Sequence, residues 1–131
     1  MTNRATLEAL LARVLEGTGP DREIDGQLAL LKGYTYEKRK GEKFPWWRRP
    51  DGFRISIWGD QNKPPPYTAS LDAVLRDLLP EGWYAEIGTR PDWPWARLFR
   101  EAPLRVTDIV SGPTPPRALI AACIKARMET L

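Results

Sequence analysis

The 131-residue sequence contains no histidine and a single cysteine, and both facts limit the kinds of catalysis and metal binding that the chain can support. Without histidine the chain lacks the general base of Ser-His-Asp and Cys-His catalysis. One cysteine without histidine also falls short of the ligand set of an ordinary zinc site. Carboxylates alone can bind magnesium or calcium, but the sequence has no Asp-x-Asp loop to support such a site. We therefore expect no metal, no cofactor and no catalytic activity.

Long apolar runs are absent as well. A membrane-spanning helix needs roughly 20 consecutive apolar residues, and no segment approaches that length, so no membrane partner is expected. The N-terminal segment has acidic residues and no cleavage site, which indicates a helix and not a signal peptide. Cys123 has no internal disulfide partner, which favours a reducing cytoplasm. The length is that of one domain spanning residues 1–131.

Basic residues are concentrated in one segment of the chain. The net charge is +3, but the segment from Lys32 to Arg54 holds eight basic and three acidic residues, so it carries +5 and the remainder −2. A basic segment on a nearly neutral body indicates either an anionic partner or a solvated edge.

Apolar periodicity and helix-start signals predict an α+β fold, a single-domain sandwich of a largely antiparallel sheet with N-terminal, central and C-terminal helices. Helices are predicted from Asn3 to Glu16, from Pro20 to Gly33, after Thr68 or Ser70, and after Thr114. Two extended runs, "WYAEIGTR" and "ARLFREAPLRVTDIVSG", are separated by a predicted turn at "PDWPW".

A hairpin is predicted in the basic segment. Trp46–Trp47 and Phe53–Trp58 flank "RPDGF", where Pro50 fixes its own φ and Gly52 permits a positive φ. Such a hairpin directs one aromatic set toward the core and the other outward.

Three stretches share a pattern that is specific in its order. These are "GPDREIDGQLALLKGY", "PPYTASLDAVLRDLLPEGW" and "GPTPPRALIAACIKA". Together they resemble the phage α/β/α-sandwich domain family over most of the chain. The resemblance implies a sheet sandwiched by helices and a virus or prophage origin. It implies no catalytic residues, and the basic hairpin and "PDWPW" depart from its pattern.

The candidate ligand-binding residues lie mainly in the predicted hairpin. Guanidinium groups beside indole rings can stack a base or bind a phosphate in a bidentate manner. The predicted set is Trp46, Trp47, Arg48, Arg49, Arg54 and Trp58. The structural alternative is a hairpin that packs one indole on a helix and leaves its arginines solvated.

The start of the last helix provides a second candidate. Thr114 is the predicted cap, and Arg117 lies one turn inside a helix end that favours anions. A capped structural helix is the alternative here. The stretch "YTASLDA" forms the corresponding site at the start of the third predicted helix, but Asp72 would repel a phosphate there.

Three further features have structural interpretations. Asp21, Glu23 and Asp25 resemble an acid/base set, but we interpret them as helix-start acids. Cys123 is interpreted as a buried core thiol. Trp93 and Trp95 are predicted to line either a pocket or a subunit contact.

The leading functional hypothesis is a phage-encoded, non-catalytic protein of the host cytoplasm that captures an anionic small molecule. In that context the ligand would be a cyclic or modified nucleotide that signals host immunity, and the protein would act as an anti-defence sponge. The alternatives are a nucleic-acid-binding module and a protein that inhibits a host protein by surface contact. An arginine- and carboxylate-based hydrolase is the remaining enzyme class, and a homo-oligomer is an open alternative for the assembly.

Overall fold

The structure, a computed structural model, describes residues 3–55 and 63–130 of the chain. Trp58, together with the end of the predicted hairpin strand, lies outside the described residues. No described helix has the length and apolar character needed to span a bilayer.

Four described helices each begin directly after a short polar residue whose side chain accepts a backbone hydrogen bond. Asn3, Asp21, Ser70 and Thr114 are these caps. The helices are α1 (Arg4–Glu16), α2 (Arg22–Leu31), α3 (Leu71–Asp77) and α4 (Pro115–Glu129), and a 3₁₀-helix (Tyr67–Ala69) precedes α3. The cap at Asp21 moves the start of α2 two residues beyond the predicted Pro20, because the Asp21 carboxylate binds the first free amides.

The described strands form two antiparallel sheets, which confirms the α+β class. The small sheet pairs β1 (Thr35–Glu37) with β2 (Trp46–Arg48). In the larger sheet, β4 is central and pairs with β3 along one edge and with β5 and β6 along the other. Its strands are β3 (Tyr84–Arg90), β4 (Trp93–Glu101), β5 (Leu104–Val106) and β6 (Val110–Ser111).

The predicted hairpin is present as far as Ile55. Gly52 has a φ of +93° and its amide donates to the Arg49 carbonyl at 2.8 Å, which confirms the turn. The ladder continues where the Ile55 amide donates to the Trp47 carbonyl at 2.9 Å. The sequence did not reveal that β1 pairs with the other edge of β2.

The predicted turn at "PDWPW" is shorter than expected. Only Pro91 and Asp92 turn, and β4 already begins at Trp93. Pro94 is tolerated because it lies near the start of the strand, where a missing amide is least costly. Both tryptophans of the motif are therefore strand residues.

Helix α4 forms the centre of the molecule. Nine of its residues are buried, and alanines at 118, 121, 122 and 126 let its neighbours approach closely. One side packs on the inner face of the larger sheet, where Ala96 and Leu98 are buried, and another side packs on Leu7 and Val14 of α1. Among the described helices, α4 is the one with extensive contacts to the larger sheet, and it covers one face, whereas the resemblance implies helices on both faces.

Buried hydrogen bonds join the first two of the three motif stretches. Asp25 Oδ1 accepts from the amide and the hydroxyl of Thr68, both at 2.8 Å, and the Asp21 amide donates to Thr68 Oγ1 at 2.8 Å. Burial raises the pKa of Asp25, although the hydrogen bonds from Thr68 oppose that shift. The Asp25 carboxylate and the Asp21 amide therefore join α2 to the 3₁₀-helix, and the Asp21 carboxylate caps α2, so the two carboxylates do not form an acid/base pair across a cleft.

A second polar cluster joins the start of β1 to α3. Tyr34 and Tyr67 each donate a hydroxyl hydrogen bond to Asp77 Oδ2 at 2.8 Å, and Arg76 Nε donates to Asp77 Oδ1 at 2.8 Å. Burial alone would raise the pKa of Asp77, but the hydrogen bonds from Arg76 and the two tyrosines outweigh it and lower the pKa.

We predict that Asp77→Asn destabilises the fold most near neutral pH. Because the folded-state pKa is lowered, the ionised carboxylate contributes stability above its ordinary pKa of 3.8, and that contribution disappears as the pH falls through the folded value. The difference in unfolding free energy from the unsubstituted protein should be about 1–3 kcal/mol near pH 7 and should shrink on acidification. Urea titrations at a series of pH values measure it.

The matched control is Asp72→Asn, which removes an exposed carboxylate from the first turn of the same helix. It should change the unfolding free energy by no more than about 1 kcal/mol. A difference for Asp77→Asn that stays constant with pH would contradict the assigned role of the carboxylate.

Candidate functional site

Trp47 and Arg48 of the predicted ligand-binding set are buried by internal contacts. The Trp47 ring stacks on Tyr36 with centroids 5.1 Å apart and planes 13° apart, and its edge also lies close to Gly26 of α2. Arg48 Nη2 donates to both carboxylate oxygens of Glu42 at 2.6 and 2.7 Å, and its Nε lies 3.6 Å from Glu37. Neither side chain presents a free surface to a ligand.

Glu42 is the centre of this cluster. Hydrogen bonds from the Arg39 amide and from the Arg48 guanidinium hold the pKa of its carboxyl below the ordinary range. Arg54 lies 4.7 Å from the Trp46 ring centroid and 3.9 Å from the same carboxylate. The structure therefore brings Trp46, Arg48 and Arg54 together, but around an anion supplied by the protein itself.

The positive charge of Arg49 is likewise balanced by a carboxylate of the chain. Its Nη2 lies 2.6 Å from Asp51, and its guanidinium lies 5.6 Å from the Phe53 ring centroid. Arg49, Arg54 and Arg76 line a groove of about 740 Å³, but Asp51 and Asp77 line it too. The predicted aromatic–arginine clamp for an anion is thus largely neutralised by neighbouring carboxylates.

Arg117 is used inside the fold and not at a ligand site. Its side chain is 2% exposed, and its Nη1 donates to the carbonyls of Arg13 and Val14 at 3.3 and 3.0 Å, while its Nε donates to Gly19 at 3.2 Å. The last turn of a helix leaves carbonyls without intrahelical donors, and this guanidinium supplies them for α1. Thr114 caps α4 as predicted, with Oγ1 accepting from the Arg117 amide at 3.3 Å.

A different cavity, absent from the sequence-based set, has the features of a ligand site. This α2–α4 pocket has a volume of about 380 Å³. It lies where the ends of α2 and α3 meet the C-terminal half of α4. Its apolar lining consists of Leu28, Leu31, Leu78, Pro80, Trp83, Ile120, Ile124 and Ala126.

Two cations, Lys32 and Arg127, line this pocket together with the apolar residues. Within the described part of the chain, neither side chain forms an ion pair, and no carboxylate lines the pocket. Unlike Arg48 and Arg49, these two cations have no carboxylate partner among residues 3–55 and 63–130.

Cys123 lies on the floor of the pocket and is buried, as predicted. Burial raises the pKa of its thiol to about 12, and the nearby Lys32 ammonium opposes that shift only in part. The thiol therefore stays protonated near neutral pH and is a poor nucleophile.

Sequence reasoning missed Lys32, Trp83 and Arg127 as a set because they are far apart in the chain. A cation at or near the C-terminus of a helix is a common stabilising feature, and α2 and α4 each carry one. Only tertiary packing brings the two helix ends to one cavity. Trp93 and Trp95 lie elsewhere, on β4, and Trp93 donates from Nε1 to Ser111 Oγ at 3.1 Å.

We predict that Arg117→Met destabilises the protein by about 3–5 kcal/mol, because it leaves buried carbonyls without donors. The measurement is the urea midpoint of unfolding. Lys125→Met, at an exposed position of the same helix, is the control and should be nearly neutral. Comparable losses from the two substitutions would contradict the capping role of Arg117.

The chain was compared with family models, with curated proteins and with solved structures, and none of the three comparisons gives a match. The resemblance to the phage α/β/α-sandwich family accordingly stays a prediction from three motif stretches. The function is therefore argued from the geometry of the pocket.

Proposed function

We propose that this chain is a non-catalytic binding protein that holds a small anionic molecule with an apolar body in the α2–α4 pocket. One observation carries the proposal: an apolar cavity is lined by two cations for which the described residues provide no carboxylate. Lys32 and Arg127 are half-buried beside this apolar cavity, and a ligand anion would give both of them a charged partner.

The volume and lining favour a compact ligand with an aliphatic or flat apolar body. Small-molecule pockets typically have volumes of about 300–1,000 Å³, so 380 Å³ lies at the lower end of that range. Each buried methylene contributes about 0.8 kcal/mol to binding, and Trp83 provides a flat wall for stacking. A carboxylate or phosphate head would face Lys32 and Arg127.

The proposed mode of action is capture without chemistry. The one thiol in the pocket is protonated, and the lining residues include no carboxylate that would act as a general base. The cations and the apolar walls bind and orient the ligand, and the helix ends hold those cations in place.

The narrower hypothesis of a phage-encoded sponge for a nucleotide immune signal remains a proposal that depends on the family resemblance. A compact pocket suits a mononucleotide better than a cyclic dinucleotide. The nucleic-acid-binding alternative is weaker, because Arg48 and Arg49 of the expected basic track are paired with Glu42 and Asp51, whereas a nucleic acid requires cations that are free to neutralise phosphates.

We predict that the protein binds decanoate and discriminates against decanol, which has the same chain without the charge. Isothermal titration calorimetry should give at least about tenfold tighter binding for decanoate, a difference of about 1.4 kcal/mol. The double substitution Lys32→Gln, Arg127→Gln should abolish this preference.

Lys125→Gln is the matched control, because it removes an exposed cation from α4 without touching the pocket. If Lys32 and Arg127 only stabilise their helices by interacting with the helix dipoles, the double substitution will lower the melting temperature. The ratio of the affinities for decanoate and decanol will then stay unchanged. That result would overturn the proposal, as would the absence of heat with decanoate. A panel of nucleoside monophosphates and cyclic di-GMP, titrated in parallel, tests the narrower hypothesis.

A further inference from the structure

The outer face of the larger sheet is uncovered by the described helices. Alternate residues of β4 point away from α4, and these are Trp93, Trp95, Arg97 and Phe99. Large apolar side chains on the same face are strongly exposed: Tyr84 by 54%, Leu104 by 76% and Val106 by 51%. Large apolar side chains exposed together on one face mark a binding surface.

The charges on this face indicate a protein partner. Arg97 Nη2 lies 3.1 Å from Glu86 and Arg90 Nη2 lies 2.8 Å from Asp92, so each cation is balanced within the face. A nucleic acid requires a surplus of positive charge, which this face lacks. Aromatic residues and arginine with little net charge are typical of the centre of protein–protein interfaces.

The register of β3 and β4 makes this face complementary to itself. The outward cross-strand pairs are Arg90 with Trp93, Gly88 with Trp95, Glu86 with Arg97, and Tyr84 with Phe99. A two-fold axis that runs between the two strands and parallel to them would place β3 of one copy over β4 of the other. Each outward residue of one copy then faces, on the second copy, the same residue that is its cross-strand partner within its own chain.

Each contact produced by this axis is favourable. Arg97 faces Glu86 of the second copy, so two ion pairs become one alternating set of four charges. Phe99 faces Tyr84 of the second copy, and Trp93 faces its Arg90, which gives ring stacking and cation–π contacts. Gly88 has no side chain and is covered by Trp95 of its own chain, so at this level of the interface the Trp95 rings of the two copies pack against each other.

We propose that two copies of this chain pack through the outer faces of their larger sheets, about a two-fold axis between β3 and β4. The sheets pack as in an aligned β-sandwich. The contact does not involve the residues that line the α2–α4 pocket, so the proposal stands independently of ligand binding.

The test uses charge reversal at the central pair. Sedimentation velocity should show the unsubstituted protein as a dimer. Arg97→Glu places four carboxylates together, and Glu86→Arg places four guanidinium groups together, so each variant alone should dissociate at least about tenfold more readily. An equimolar mixture of the two variants should form a heterodimer, because the two carboxylates of one chain then face the two guanidinium groups of the other.

The mixing experiment is decisive because each variant chain keeps its own pair of like charges on the outer sheet face, whether or not the other variant is present. Rescue on mixing can arise only from contacts between copies. Arg4→Glu and Glu8→Arg, at an exposed ion pair on α1, are the matched controls and should leave the dimer intact alone and mixed. Circular dichroism verifies that every variant is folded. A monomeric unsubstituted protein, dimers that survive both reversals, or a mixture that stays monomeric would each overturn the proposal.

Discussion

The burial of α4 is the constraint on which the rest of the structure depends. This helix has few apolar side chains of large size, and its alanines bring the sheet and α1 within close reach. At Gly112, for example, a side chain would come within 2.8 Å of Ala118. A helix packed this tightly leaves little tolerance for added volume, because cores are filled to crystalline density.

Polar anchors fix the elements around that central helix. Arg117 holds the end of α1 through the carbonyls of Arg13 and Val14 and the loop after it through the carbonyl of Gly19. Thr68 links α2 to the segment before α3 through Asp25. These bonds lie in the motif stretches that carry the resemblance to the phage family, so the motifs describe how the fold is assembled. The same stretches also supply most of the lining of the α2–α4 pocket, including Lys32 and Trp83, whereas the outer sheet face lies outside them.

The local features were predictable from the sequence, and the long-range ones were not. Helix starts follow from the polar cap and the residues just after it. Those of α1 and α4 were placed to within a residue, and α3 begins after the second of its two predicted caps. The turn at Gly52 was equally local. The pairing of β1 with β2 and the start of β4 at Trp93 depend on distant neighbours. For the site, the sequence showed the arginines near position 48 but not that Glu37 and Glu42 fold back onto them.

The contact between Trp95 and Gly88 ties two sequence positions together. A Cβ atom at position 88 would lie 1.9 Å from the indole nitrogen, so an alanine there cannot coexist with the observed ring. Homologues that carry any larger residue at position 88 should therefore hold a smaller residue at position 95, or a tryptophan turned away from the strand. Correlated variation at this pair would distinguish homologues that keep an indole ring over β3 from homologues that have rearranged this part of the sheet.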